Sequence, residues 1–275
     1  MIRPRLSMLP NYVVLVVMTL VAIIPLVFVV GSSLKTATEY ALDPGLIPHN
    51  PTFENYIWAF GNGRILHYLI NSLLVVPVGL VLYLAVCISA GFAFGKLRFS
   101  FRLSVFLGVL FLMIFPQMLL VMQMFKLMTM FGLANSFLGL ILAWVAYFAP
   151  FGTYIMTTYF SSVPDEILES ARIEGCGTLR ILTSIMMPIA APMIGTISII
   201  GLLTMWNELP FSLLLLQDNT LRTMTLSVAM LQGEYGLNTP SLTAILVLTA
   251  LVPILLFLFF QKYVTQGATA GALKG

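Results

Sequence analysis

Of the 275 residues, 60% are hydrophobic and only 8% are charged, with 13 Lys and Arg against 10 Asp and Glu. A soluble domain carries about 25% charged residues, and a disordered chain needs low hydrophobicity with high net charge, so both classes are excluded. The formal net charge of +3 says nothing of a nucleic-acid partner.

In chain order, uncharged apolar runs fall at 12–30, 69–94, 104–125, 136–160, 184–206 and 241–261, and none of the charged residues lies inside any of them. Each run meets the roughly 18-residue threshold for a membrane-crossing helix. The sequence therefore predicts an all-α polytopic integral membrane protein with six transmembrane helices, forming a single transmembrane domain over 1–275. The first run follows Arg3 and Arg5 and is trailed by Gly31, Ser32 and Ser33, which mimics a cleavable signal. At Tyr12–Val30 it exceeds the roughly 7–15 residues of a signal core, and a retained span is the better reading.

Lys and Arg set the orientation. With an even number of spans both termini share one side, which collects Arg3, Arg5, Lys96, Arg98, Arg102, Arg172, Arg180, Lys262 and Lys274, whereas the other holds Lys35, Arg64, Lys126 and Arg222. The positive-inside rule places both termini in the cytoplasm, and the short loop 95–102 carries the clearest bias.

Every run carries a proline: Pro25, Pro77, Pro116, Pro150, Pro188 with Pro192, and Pro253. Membrane helices tolerate proline, and bent helices also suit a pathway that opens and closes, so two readings stay open. Charge-free spans argue against a proton- or ion-coupled carrier, which would place Asp, Glu or His within the bilayer. The nearest acid is Glu208, just past the fifth run. Neutral polar residues at or near the runs (Asn71, Gln117, Gln123, Asn135, Asn207) suit either a hydroxylated solute or interhelical hydrogen bonds. Gly91 and Gly95 form G-x-x-x-G at a span end, which is either a site of close helix approach or a chance occurrence.

Cys87 in a span and Cys176 on the inner side cannot pair, and His49 and His67 have no ligand cluster beside them, so no metal site is expected. Gly91-Phe-Ala-Phe-Gly95-Lys96-Leu97 lacks the spacing and the hydroxyl of a phosphate-binding loop. The sequence predicts no enzyme active site, no ATPase motif and no cofactor bound by this chain.

The loop 161–183 is the least lipid-like stretch on the inner side. Pro164 suits a first helical position capped by Ser162 or Val163, and Asp165 and Glu166 complement the positive helix end. Glu169 and Arg172 are spaced for an i, i+3 pair, Gly175 is a natural stop, and Gly177 precedes a second short helix from Thr178. Ile167, Leu168 and Ala171 form an apolar strip on an otherwise acidic element. Such a loop can pack against its own spans or lie at the lipid surface, but lipid-surface helices are normally basic, so a docking knob for a soluble partner is the better reading.

Glu169-Ser-Ala171-Arg-Ile-Glu174-Gly175, followed by Ile185, Met187-Pro188 and Pro192, resembles the EAA loop of binding-protein-dependent ATP-binding-cassette importer permeases. That pattern reads E-A-A, two residues, D-G, then a downstream L-P. Ser170, Glu174, Cys176 and Met187 depart from it conservatively. Ser33-Leu-Lys35, Asn71-Ser72, Phe160 through Pro164, Trp206-Asn207-Glu208 and the tail Gly267–Gly275 extend the resemblance to the carbohydrate branch, the smaller maltose-permease type.

The resemblance implies a permease subunit of a sugar importer in a bacterial or archaeal cytoplasmic membrane, forming half of a translocation pathway with a cytoplasmic coupling-helix loop. It implies a second homologous permease, two ATPase subunits that hold ATP and magnesium, and an extracytoplasmic sugar-binding protein. Coupling to the ATPase then falls on Glu169, Ala171, Glu174 and Gly175, the hinge on Pro188 and Pro192, and tail contacts on Gly271, Lys274 and Gly275. The outer loop 31–68, with Tyr56 and Trp58, is a candidate contact for the binding protein. No residue is assigned to the substrate pathway. An importer of another solute and a secondary carrier are the alternative readings.

Overall fold

The computed structural model describes residues 9–235 and 238–272. Every regular element among them is helical. Four helices are long and apolar enough to cross a bilayer, and two bent pairs raise that number to six if each pair is one span. The protein is an all-α polytopic membrane protein.

Helix α1 (Leu9–Ser33) keeps its side chains exposed from Pro10 to Val27. Such a surface suits only a hydrocarbon solvent, in which the helix satisfies its own backbone. After α1 come two short helices, α2 (Ala37–Leu42) and α3 (Glu54–Phe60). Helices α4 (Ile65–Lys96), α7 (Phe137–Ser162) and α14 (Thr239–Ala272) have 32, 26 and 34 residues. At 1.5 Å per residue each exceeds a hydrocarbon layer of about 30 Å. Pro77, Pro150 and Pro253 lie inside them without ending them.

The third and fifth runs do not form the continuous helices that their composition suggests. Helix α5 (Arg102–Phe111), with a following 3₁₀ turn, meets α6 (Gln117–Met130) at 107°. Phe115 takes the extended conformation (ψ 121°) that a residue before proline prefers, and Pro116 continues it (ψ 140°).

The segment Thr178–Ile189 meets Ala191–Trp206 at 82°. It consists of α9 (Thr178–Ile181), a π turn at Leu182–Met186, α10 (Met187–Ile189) and then α11 (Ala191–Trp206). Pro188 and Pro192 flank the bend and remove two helical donors. One carbonyl at the bend is taken by a neighbouring helix, because the Tyr159 hydroxyl donates to Ile189 O at 2.9 Å.

The chain divides into two compact units, one of residues 1–66 with 227–251 and another of 67–226 with 252–275. In the first, Lys35 is wholly buried and its Nζ donates to Asp43 O (2.7 Å) and Gly45 O (2.9 Å). Asn55 donates to Ser33 O and Lys35 O and accepts from Ser241 Oγ, tying α3 to the start of α14. Tyr56 shares a 2.7 Å hydrogen bond with Ser33, so it belongs to this unit's own framework.

In the second unit, α4 lies against α7 through the two glycines noted above. A Cβ at Gly91 would overlap Met156, and one at Gly95 would sit 2.9 Å from Phe160 Cβ. Short helix α12 (Pro210–Leu215) packs on α6 and α7, and Glu208 is the polar centre of that contact. Its buried carboxylate accepts from Gln117 Nε2, Trp144 Nε1, Phe211 N, Ser212 N and Ser212 Oγ. An acid predicted merely to follow the fifth span is thus a hub holding α6, α7 and α12 together. The last of the shorter helices is α13 (Met224–Tyr235).

Candidate functional site

The 161–183 segment folds as an elbow of two short helices, α8 (Glu166–Ile173) and α9. Its entry differs from the sequence expectation. Val163 is extended (ψ 135°) because Pro164 follows, and the N-cap is Asp165, two residues after Val163 and three after Ser162, the predicted caps. Ser162 does not cap; its hydroxyl donates back to Tyr159 O. The Asp165 side chain leaves the helix end and meets Lys96 at the end of α4.

The exit follows the prediction. Gly175 N donates to Arg172 O (3.0 Å) and Cys176 N to Ala171 O (2.9 Å), the paired bonds of a Schellman cap. Gly175 takes φ +81°, and nothing lies within 4 Å of where a Cβ would stand. Glycine is needed there for its backbone angle alone.

The apolar strip faces inward. Leu168 and Ala171 are buried and Ile167 is half-buried, so Ala171 acts by packing α8 onto the chain. This leaves a different outer surface: Glu166, Glu169, Arg172 and Glu174, with Ile173 (88% exposed) and Leu179 (73% exposed) as its two large aliphatic residues. The predicted Glu169–Arg172 ion pair is absent among the described residues. Both side chains instead line a polar cavity of about 410 Å³ with Lys96, Arg98, Phe99 and Asp165.

Lys96 was legible only as a marker of topology. In the fold its side chain is 3% exposed, and its ammonium donates to Val163 O and to the Asp165 carboxylate. That hydrogen bond and the Lys96 charge hold the Asp165 carboxyl below the usual carboxylate range, with Arg98 adding to the effect. A lysine closing an uncharged run, and an acid at the start of the loop's first helix expected on the same side of the membrane, were the available signals.

Pro188 and Pro192 lie on either side of the 82° bend and connect the elbow to α11. Gly271 is in the last turn of α14, whereas Lys274 and Gly275 are outside the described residues. Trp58 lines an open hollow with Gly61, Asn62 and Arg64 in the first unit. His49 contacts the Asp43 carboxylate, and His67 lies 2.7 Å from Thr220 O.

Comparison with known proteins matches this architecture. The family model described as "Binding-protein-dependent transport system inner membrane component" matches residues 5–269. The chain is 30% identical to the trehalose/maltose transport system permease protein MalG of Thermococcus litoralis, over 94% of each chain. It is 29% identical to the sulfoquinovosyl glycerol transport system permease protein SmoH of Agrobacterium fabrum, over 91% of this chain and 88% of the relative. Among solved structures, a chain of a bacterial ABC transporter that imports the acidic polysaccharide alginate superposes with a TM-score of 0.81 at 21% identity, covering 96% of this chain and 99% of that one. The fold is therefore shared with that transporter chain. By the match over almost its whole length, the chain belongs to the family of binding-protein-dependent transport system inner membrane components.

Proposed function

We propose that this chain is one permease subunit of an ATP-driven carbohydrate importer and forms half of its translocation pathway. The observation that carries the reading is the elbow. A short acidic helix, anchored on its inner face by Leu168 and Ala171, ends on a glycine cap and presents Glu169, Glu174 and the bare aliphatic side chain of Ile173, and α9 adds that of Leu179. Such a surface suits a cleft on a soluble partner: the aliphatic pair supplies apolar burial and the acids supply register and orientation.

In this reading the partner is an ATPase subunit, present twice. Glu169, Glu174 and the Gly175 turn set the docked geometry, and the connection through α9 into the Pro188/Pro192 bend carries ATPase closure to α11. A second homologous permease completes the pathway, and an extracytoplasmic binding protein delivers the cargo. ATP and magnesium reside in the ATPase subunits. The distribution of Lys and Arg favours cytoplasmic termini and a cytoplasmic elbow.

Carbohydrate as cargo rests on the relatives named for trehalose/maltose and sulfoquinovosyl glycerol transport. It also fits spans without a fixed charge, since an anionic solute would call for buried cations or exposed helix N-termini. Copurification of the native complex is the test. Two ATPase copies and a second permease are expected beside this chain, and a thermal-shift screen of the soluble binding protein should respond to a sugar. A chain recovered without an ATPase would refute the reading.

A further inference from the structure

The elbow is continuous with the membrane bundle at both ends, from α7 through Val163–Pro164 and onward through α9, and Leu168 and Ala171 pack α8 onto the chain. A further, side-chain attachment is Lys96, which reaches from the last residue of α4 to both the Val163 carbonyl and the Asp165 carboxylate at the root of α8. Lys96 is nearly wholly buried, whereas Asp165 is exposed, so the pair is rooted on the α4 side. Just before it, Gly91 and Gly95 bring α4 into backbone-level packing with Met156, Thr157 and Phe160 of α7. At the elbow, α4 and α7 therefore end as one braced strut.

We propose that Lys96 is a positioning residue for coupling: it fixes the start of α8 to the α4/α7 strut, so that displacement of the elbow moves α4 and α7 with it. This transmission role rests on the importer reading above; the bracing itself does not. A buried ammonium with two acceptors is costly to disconnect, because the Lys96 charge left alone has lost its compensation, whereas the exposed Asp165 carboxylate is rehydrated. Without it, α8 would be held by its chain connections and by the packing of Leu168 and Ala171 alone, and its start would be freer to turn about the Val163–Pro164 junction.

The test uses spin labels at Phe101→Cys and Ser170→Cys, both at exposed positions flanking the cavity, in a full-length chain with Cys87 and Cys176 replaced by serine. The interlabel distance is measured in the purified native complex, without nucleotide and with ATP plus vanadate. The Lys96 form should show a narrow distribution whose centre does not move with nucleotide. Lys96→Met, which keeps the apolar stem, should broaden it roughly twofold and allow a nucleotide-dependent shift, and Lys96→Arg should restore the narrow form.

An unchanged distribution in Lys96→Met, or a shift in the Lys96 form, would overturn the proposal. The same preparation reports separately on the importer reading. If the unsubstituted complex contains no ATPase, that reading falls, together with the transmission role, whereas a broadened Lys96→Met distribution would still establish the brace. Asp165→Asn supplies a variant outside the buried core, and it should broaden the distribution in the same direction as Lys96→Met.

Discussion

Replacing Glu208 with alanine should loosen the packing of α12 on α6 and α7. The carboxylate receives five hydrogen bonds, and its removal takes the acceptor from three buried donors, Trp144 Nε1, Phe211 N and Ser212 N. An orphaned buried donor costs about 1–3 kcal/mol, which gives roughly 3–6 kcal/mol when water entering the vacated space relieves part of the loss. At the about 0.6 kcal/mol per interhelical hydrogen bond found in bilayers, the bonds from Gln117 and Trp144 alone contribute about 1 kcal/mol, and loss of the local cap on Phe211 N and Ser212 N adds about 1 kcal/mol more. At about 2–4 °C per kcal/mol, the melting midpoint should fall by on the order of 10 °C. Glu208→Gln, which keeps the volume but places an amide among donors, should fall between alanine and the parent.

Thermal unfolding in lipid nanodiscs, followed by tryptophan emission, reads both stability and the loss of the Trp144 hydrogen bond. An alanine variant that melts within about 2 °C of the parent, with unchanged emission, would refute the hub.

Three further outcomes are expected. Gly175→Ala and Gly175→Leu should cost the same, about 1–2 kcal/mol, because the left-handed angle is penalised while the surroundings are empty; Gly175→Asn should cost less, and a leucine variant much worse than alanine would contradict this. Ile173→Asp combined with Leu179→Asp should lower copurification of the ATPase by more than about tenfold while leaving the melting midpoint unchanged, since both side chains are exposed. The depressed Asp165 pKa makes the Lys96 contact fully present above the ordinary carboxylate range and lost only as pH falls through the lowered value. Label mobility at residue 170 should therefore be flat from neutral pH down to the ordinary carboxylate range and rise only below it.

The membrane-crossing segments were legible because a bilayer tolerates so little charge that uncharged runs locate them. The elbow's exit was legible because a glycine after an amphipathic turn has few other uses. The breaks were not, since a proline sits in every run. Pro25, Pro77, Pro150 and Pro253 lie within continuous helices, whereas the Phe115–Pro116 junction turns the chain by 107°. What separates these cases is the tertiary setting: Gln117, immediately after the break, is held by Glu208 from a distant part of the chain.

Ile167, Leu168 and Ala171 were legible as a strip but the surface they meet was not, because a period of 3.6 shows that a face exists and not which body it packs against. Lys96 was obscured by its company, one cation among several that report topology. Gly91 and Gly95 carried a correct hint of close approach, and the structure supplies the partner, α7. The C-terminal tail positions Lys274 and Gly275 lie beyond what the structure describes.

The hydroxyl of Tyr159 on the carbonyl of Ile189 makes a bend in one helix depend on the last turn of another. A kink served only by its own prolines could straighten or sharpen freely. This one is tethered by a single phenolic bond, three residues before the end of α7 at Ser162. Any swing of that helix end must either carry the kink along or break the tether, and a phenylalanine at position 159 would let the two change angle separately.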